Sequence, residues 1–203
     1  DGEIIIKLTQ LGLDLDPEAA YLHCERLAAK AEAAGHHFWI DMEDSSHVDA
    51  TLALYGRLRA ERALAGVCLQ ACLRRTAADV ERLLPLGPAI RLVKGAYDEP
   101  ASVAFRSRRE VDTNYAAIAV TPLRAGASAG SGAGSGAGAG GGRIRLGLGT
   151  HDVALIEQIS AHAAAAGIGR DAFEVQMLFG IRASEQRRLA REGYRVRTLI
   201  AYG

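Results

Sequence analysis

The stretch RLVKGAYDEP, residues 91–100, begins as an apolar run fit for a core and then breaks into Lys94, Gly95, Tyr97, Asp98 and Glu99. A strand buried along its whole length has no use for a cation, a glycine and a phenol in close succession. The same kind of break occurs in FWIDMED (residues 38–44) and LGLGTHD (residues 146–152). In parallel α/β sheets, ligand sites are assembled at the carboxyl ends of the strands. The three stretches are therefore read as strand ends facing one site.

Outward from them, short β-branched runs alternate with longer Ala/Leu/Arg segments. Strands are expected near residues 4–8, 38–42, 67–72, 90–94, 145–149, 173–178 and 194–200. The first helix is framed by Asp16 as N-cap, Pro17 at the first helical position and Gly35 as the stop. Thr76 is expected to cap a helix that carries Asp79 in its first turn and ends at Pro85. Further helices are expected at about residues 49–65, 108–120, 153–166 and 183–192. This alternation predicts an α/β fold with a parallel sheet. Seven strands at this spacing favour a (β/α)8 TIM-type barrel, incomplete by one strand, over a doubly wound sheet. Residues 1–203 are expected to form a single domain, interrupted at residues 125–142 by a Gly/Ala/Ser segment read as a flexible linker. Gly136, Gly138 and Gly141 satisfy G-x-G-x-x-G, but a strand follows the segment instead of preceding it, so composition explains the match.

Lysine plus arginine equals aspartate plus glutamate at 24 each, which leaves no bulk field to favour nucleic acid or an acidic membrane. Three cysteines, Cys24, Cys68 and Cys72, form no disulfide framework and suit a reducing compartment. No apolar run approaches the ~20 residues of a membrane span. A cytoplasmic location is expected, with at most peripheral association at the inner face of a bacterial membrane. Both chain ends read as cut. His36 and His37 have no third ligand in register and are read as solvated. The arginine-rich residues 187–197, broken by acidic positions, are read as a solvated helix face.

Four strands carry polar intrusions. Lys7 closes the apolar run IIIK, where an unpaired ammonium is costly. Asp41 and Glu43, two apart, share one side of their strand. Gln70 lies in VCLQACL, and Arg91 and Lys94 bracket the opening stretch. Any one of these fits a buried structural pair or a satisfied core amide. Four on separate strands fit a barrel site, which draws its residues from several strand ends.

In these residues the chain resembles the proline dehydrogenase family. The matching runs are IIIKLTQLGLD, WIDMED, RLVKGAYDEP with SVAF and VDTNY behind it, GTHD, FEVQMLFGI and YRVRTLIAYG, in the family's order and across nearly the whole chain outside the Gly/Ala/Ser segment. The resemblance implies a distorted barrel whose first strand and last helix are missing here. It also implies non-covalent FAD at the strand ends and oxidation of L-proline to Δ1-pyrroline-5-carboxylate by hydride transfer to the flavin. Lys7 and Asp41 match the substrate pocket, and Tyr97 and Leu178 match its walls. Gln70, Arg91, Val93, Lys94, Gly95 and Ala96 match flavin contacts, as do Thr150, His151 and Gln176. The implied partners are L-proline, a quinone or other electron acceptor, and a pyrroline-5-carboxylate dehydrogenase, fused or separate. The family's carboxylate-clamping arginine pair lies past Gly203, and Leu199 replaces a tyrosine common in the family. Two alternatives follow: a catalytically incompetent truncated or engineered scaffold, and a hydroxyproline-preferring relative.

Overall fold

The computed structural model describes residues 2–130 and 144–200. Seven strands form one sheet: β1 (Glu3–Ile6), β2 (His37–Ile40), β3 (Ala65–Gln70), β4 (Ala89–Val93), β5 (Arg145–Gly149), β6 (Phe173–Leu178) and β7 (Arg195–Leu199). They pair in sequence order, every pair parallel. Six helices occupy the crossovers: α1 (Pro17–Ala33), α2 (Val48–Glu61), α3 (Thr76–Leu83), α4 (Arg108–Gly130), α5 (Val153–Ala165) and α6 (Ala183–Arg191). This is a TIM-barrel-like α/β fold. Contacts across the sheet show how far it curls. Glu3 of β1 reaches Arg91 of β4 at 2.7 Å, Arg145 of β5 at 2.8 Å and Arg197 of β7 at 3.3 Å.

The two faces of the sheet follow the two-residue period of a strand. Outward positions are apolar and buried beneath the helices: Phe38, Ile40, Val67, Leu69, Ile90, Leu92, Leu146, Leu148 and Val175 all belong to the main core. Inward positions carry the polar residues and glycines, together with Ile5, Trp39, Cys68 and Val93. The register runs Cys68 to Arg91, Arg91 to Gly147 and Gly147 to Glu174. Continued one residue past Ile6–Ile40 and Ile40–Val67, it sets Lys7 beside Asp41 and Asp41 beside Cys68. The core therefore lies between sheet and helices, and the concave face is left for chemistry.

Local signals explain most boundaries. Asp16 caps α1, accepting from the N–H groups of Glu18 (3.0 Å) and Ala19 (3.1 Å), and Gly35 ends it at φ 71°. Thr76 does not cap α3. Arg75 occupies that position without a side-chain cap, and the Thr76 hydroxyl donates instead to the Gln70 carbonyl at 2.6 Å. The hydroxyl thus secures the end of β3 rather than the start of the helix. Helix α2 stops at Glu61, short of the expectation, because Ala65 already opens β3. Helix α4 runs past residue 120 and through Pro122 to Gly130, so residues 125–130, expected in the linker, are helical. Residues 131–142 of that segment lie outside the described residues. His37 is half-buried at the start of β2, not solvated.

Candidate active site

A cavity of 960 Å³ opens at the carboxyl ends of the strands, a size typical of ligand pockets. Each of the first six strands delivers to it at or near its last residue. Lys7 follows β1, Asp41 follows β2 and Gln70 ends β3. Arg91 and Val93 come from β4, with Lys94, Gly95, Ala96 and Tyr97 directly after it. Thr150 and His151 follow β5, and Gln176 and Leu178 come from the end of β6. Every residue that the family resemblance matched to the pocket or the flavin lines this one cavity.

In the lining of the cavity, the Lys7 ammonium donates to the Tyr97 hydroxyl at 3.2 Å and lies 5.8 Å from the centre of that ring. This hydrogen bond, aided by the fields of Asp41 and Glu43, raises the Lys7 pKa. Burial raises that of Asp41, while Arg91 and Lys7 oppose the shift. Glu43 is not part of the pocket. Its carboxylate accepts from the Thr9 N–H (3.0 Å) and hydroxyl (2.6 Å), and its carbonyl accepts from Gln70 Nε2 (2.7 Å). It secures the turn that carries Lys7.

Arg91, 3% exposed, is the centre of the floor. Its Nε donates to Gln176 Oε1 at 2.5 Å and its Nη2 to Glu3 at 2.7 Å. Its guanidinium stacks 4.5 Å from the Trp39 ring, with Arg145 at 5.5 Å from the same ring. The remaining nitrogen, Nη1, is buried with no partner. Glu174 completes the cluster, meeting Arg145 at 3.2 Å and Arg197 at 2.9 Å. Gly147 leaves room for the Gln176 amide, since a β-carbon there would lie 2.9 Å from it.

Lys94 is bracketed by carboxylates. It ion-pairs with Asp112 of α4 and, at 2.8 Å, with Asp152, which also caps α5. The Lys94 hydrogen bond holds the Asp152 carboxyl below its ordinary range. His151 accepts from the Leu178 N–H through Nε2 at 3.4 Å, so its proton resides on Nδ1, which is buried and unpartnered. Burial, and then Arg182, push its pKa down.

The inward Glu3, Arg145, Glu174 and Arg197 and the rim residues Arg106, Arg108, Asp152 and Arg182 were not among the residues singled out from sequence. A signal existed for some of them. Glu3 lies four positions before Lys7, and Glu174 two before Gln176, so both share an inward parity with a residue already suspected.

A curled parallel sheet with a polar concave face and a cavity at its strand ends defines a TIM-barrel-like α/β protein of the ligand-binding type. The family model described as proline dehydrogenase matches residues 2–203, and the chain belongs to that family. It is 39% identical over 207 residues to the proline dehydrogenase of Deinococcus radiodurans, covering 98% of this chain and 61% of that protein. It is 36% identical over 203 residues to proline dehydrogenase 1 of Bacillus subtilis subsp. natto, covering 100% of this chain and 62% of the relative. The chain thus spans about three-fifths of the length of these relatives. Among solved structures it is similar to proline utilization A from Bdellovibrio bacteriovorus inactivated by N-propargylglycine, with a TM-score of 0.82 at 22% identity over 98% of this chain and 22% of that one. A proline utilization A variant from Bradyrhizobium japonicum gives 0.81 with the same identity and coverage. At that identity the likeness is one of fold.

Proposed function

We propose that this chain forms the catalytic barrel of an FAD-dependent proline dehydrogenase, oxidising L-proline to Δ1-pyrroline-5-carboxylate. The observation that carries the reading is the meeting, in one cavity of a family member, of every residue that matches the family's pocket. The cavity also suits a bulky anionic cofactor. Its lining cations are Lys7, Arg91, Lys94, Arg106, Arg108 and Arg182, against the carboxylates of Asp41 and Asp152, and Arg91 keeps one buried donor unpartnered.

Bound FAD supplies the hydride acceptor. Gln70, Arg91, Val93, Lys94, Gly95 and Ala96 would hold it, together with Thr150, His151 and Gln176. Arg91 and Lys94 would supply positive charge to the reduced flavin. Lys7 holds the substrate carboxylate, Asp41 organises the pocket, and Tyr97 and Leu178 wall the ring. Proline bound as the free amine needs no protein base to release its hydride, so positioning carries most of the rate. A quinone is the proposed electron acceptor, and a pyrroline-5-carboxylate dehydrogenase the proposed consumer of product. No helix among the described residues is long and apolar enough to cross a membrane; a cytoplasmic protein meeting the membrane peripherally fits this reading.

The test is a visible spectrum of the chain with FAD, followed by anaerobic L-proline. Bleaching of a protein-bound flavin is the expected result. A bound flavin that stays oxidised would leave an incompetent flavin-binding barrel, and failure to bind flavin would overturn the reading.

A further inference from the structure

The cations lining the cavity differ in how far they are already engaged. Arg91 is paired with Glu3, Lys94 with Asp112 and Asp152, Arg108 with Asp152, and Arg106 with Asp98, while Lys7 is bonded to Tyr97. The side chain of Arg182 makes no hydrogen bond or ion pair among the described residues. Exposed arginines without partners are common, so this alone decides nothing.

Its backbone does. Arg182 is the single non-glycine residue at positive φ among the described residues, at φ 49° and ψ 43°. That conformation is disfavoured for any residue with a β-carbon. The strain is not that of a slack loop. Gln186 Nε2 donates to the carbonyls of Leu178 (3.0 Å) and Ile181 (2.8 Å), and the Phe179 N–H donates to the Leu199 carbonyl (2.8 Å). Gly180, at φ 78°, already makes the turn. A pinned turn that holds an arginine in a strained conformation, with its side chain lining a large cavity, is the pattern of a functional residue. In the lining of the same cavity, His151 Nδ1 is buried without a partner.

We propose that Arg182 is a ligand-binding residue of this cavity, its guanidinium taking an anionic oxygen, phosphate or carboxylate, of the molecule bound there. That this anion is the FAD diphosphate or the proline carboxylate rests on the function proposed above. The loss of one charge-assisted hydrogen bond corresponds to a weakening of about tenfold or more.

The full chain is compared with Arg182→Gly and Arg182→Asn, both of which accept the left-handed conformation, and with Arg182→Lys, which retains the charge. Dissociation constants are measured for FAD, riboflavin and pyrophosphate, and for L-proline by anaerobic titration of bound flavin. Weaker FAD and pyrophosphate binding with unchanged riboflavin binding assigns Arg182 to the diphosphate. A loss confined to L-proline assigns it to the carboxylate, and partial retention by Arg182→Lys is expected in either case. Equal binding of all ligands by wild type and Arg182→Gly, or no binding of any by wild type, overturns the inference. Wild type that takes pyrophosphate but not flavin sinks the proposed function and leaves the arginine assignment standing.

Discussion

At Gly66 a β-carbon would lie 2.5 Å from the Trp39 ring, which is fully buried and in contact with the Arg91 and Arg145 guanidinium groups. The ring cannot retreat without disturbing both guanidinium stacks. Gly66→Ala is therefore expected to destabilise the fold by about 1–3 kcal/mol, the cost of overpacking a filled site, as read by urea denaturation. Lys94 gives a second case. Replacing it with Met leaves Asp112 and Asp152 facing each other with only Arg108 nearby. Lys94→Met should cost about 1–3 kcal/mol, and adding Asp152→Asn should restore part of that loss. A double-mutant cycle that comes out strictly additive would show that Lys94 and Asp152 are not coupled.

Between elements, His47 joins two loops at the rim. Its Nε2 lies 3.0 Å from Asp14, ahead of α1, and its Nδ1 lies 3.1 Å from Asp44, ahead of α2. Burial disfavours its charge, but the hydrogen bonds to Asp14 and Asp44 outweigh burial and raise its pKa above 6.5. A raised pKa in the folded state means the latch is complete below pH 6.5 and is lost as pH rises through the folded value. Amide protection around residues 14 and 44–47 should fall over that range, and His47→Gln should remove the dependence. A His47 titration midpoint at or below 6.5 by NMR would contradict the latch. At this scale much was legible in the sequence, because each strand or helix announces its own period and several ends are marked by residues such as Asp16 and Gly35. What was not legible is competition between neighbours. Thr76 has a capping residue's chemistry, but the β3 carbonyl claims its hydroxyl. The alanines of residues 125–130 favour helix as strongly as their glycines favour coil, and the helix won.

For the molecule as a whole, Glu3 does what no helix does, tying the first strand to the fourth, fifth and seventh. Glu3→Gln leaves Arg145 and Arg197 to share Glu174 and takes from Arg91 its carboxylate partner. The expected loss is about 3–5 kcal/mol, typical of breaking a buried ion pair from one side, and thermal denaturation would measure it. A variant as stable as wild type would mean that helix packing alone curls the sheet. The pocket residues could be read from sequence because each interrupts an apolar run at a strand end. The pairing of Glu3 with Arg91, Arg145 and Arg197 could not, because these residues sit on strands far apart in sequence and are joined only through space. Those distances along the chain set the order of assembly. Every strand pairs with its sequence neighbour, so the sheet can grow one crossover at a time. Glu3 finds Arg91 across 88 residues and Arg145 across 142, and neither bond can form before the sheet has grown and curled. The cluster therefore acts as a late-fastened clasp: weakening it should leave the folding rate nearly unchanged and speed unfolding, so that it governs how long the folded barrel lasts.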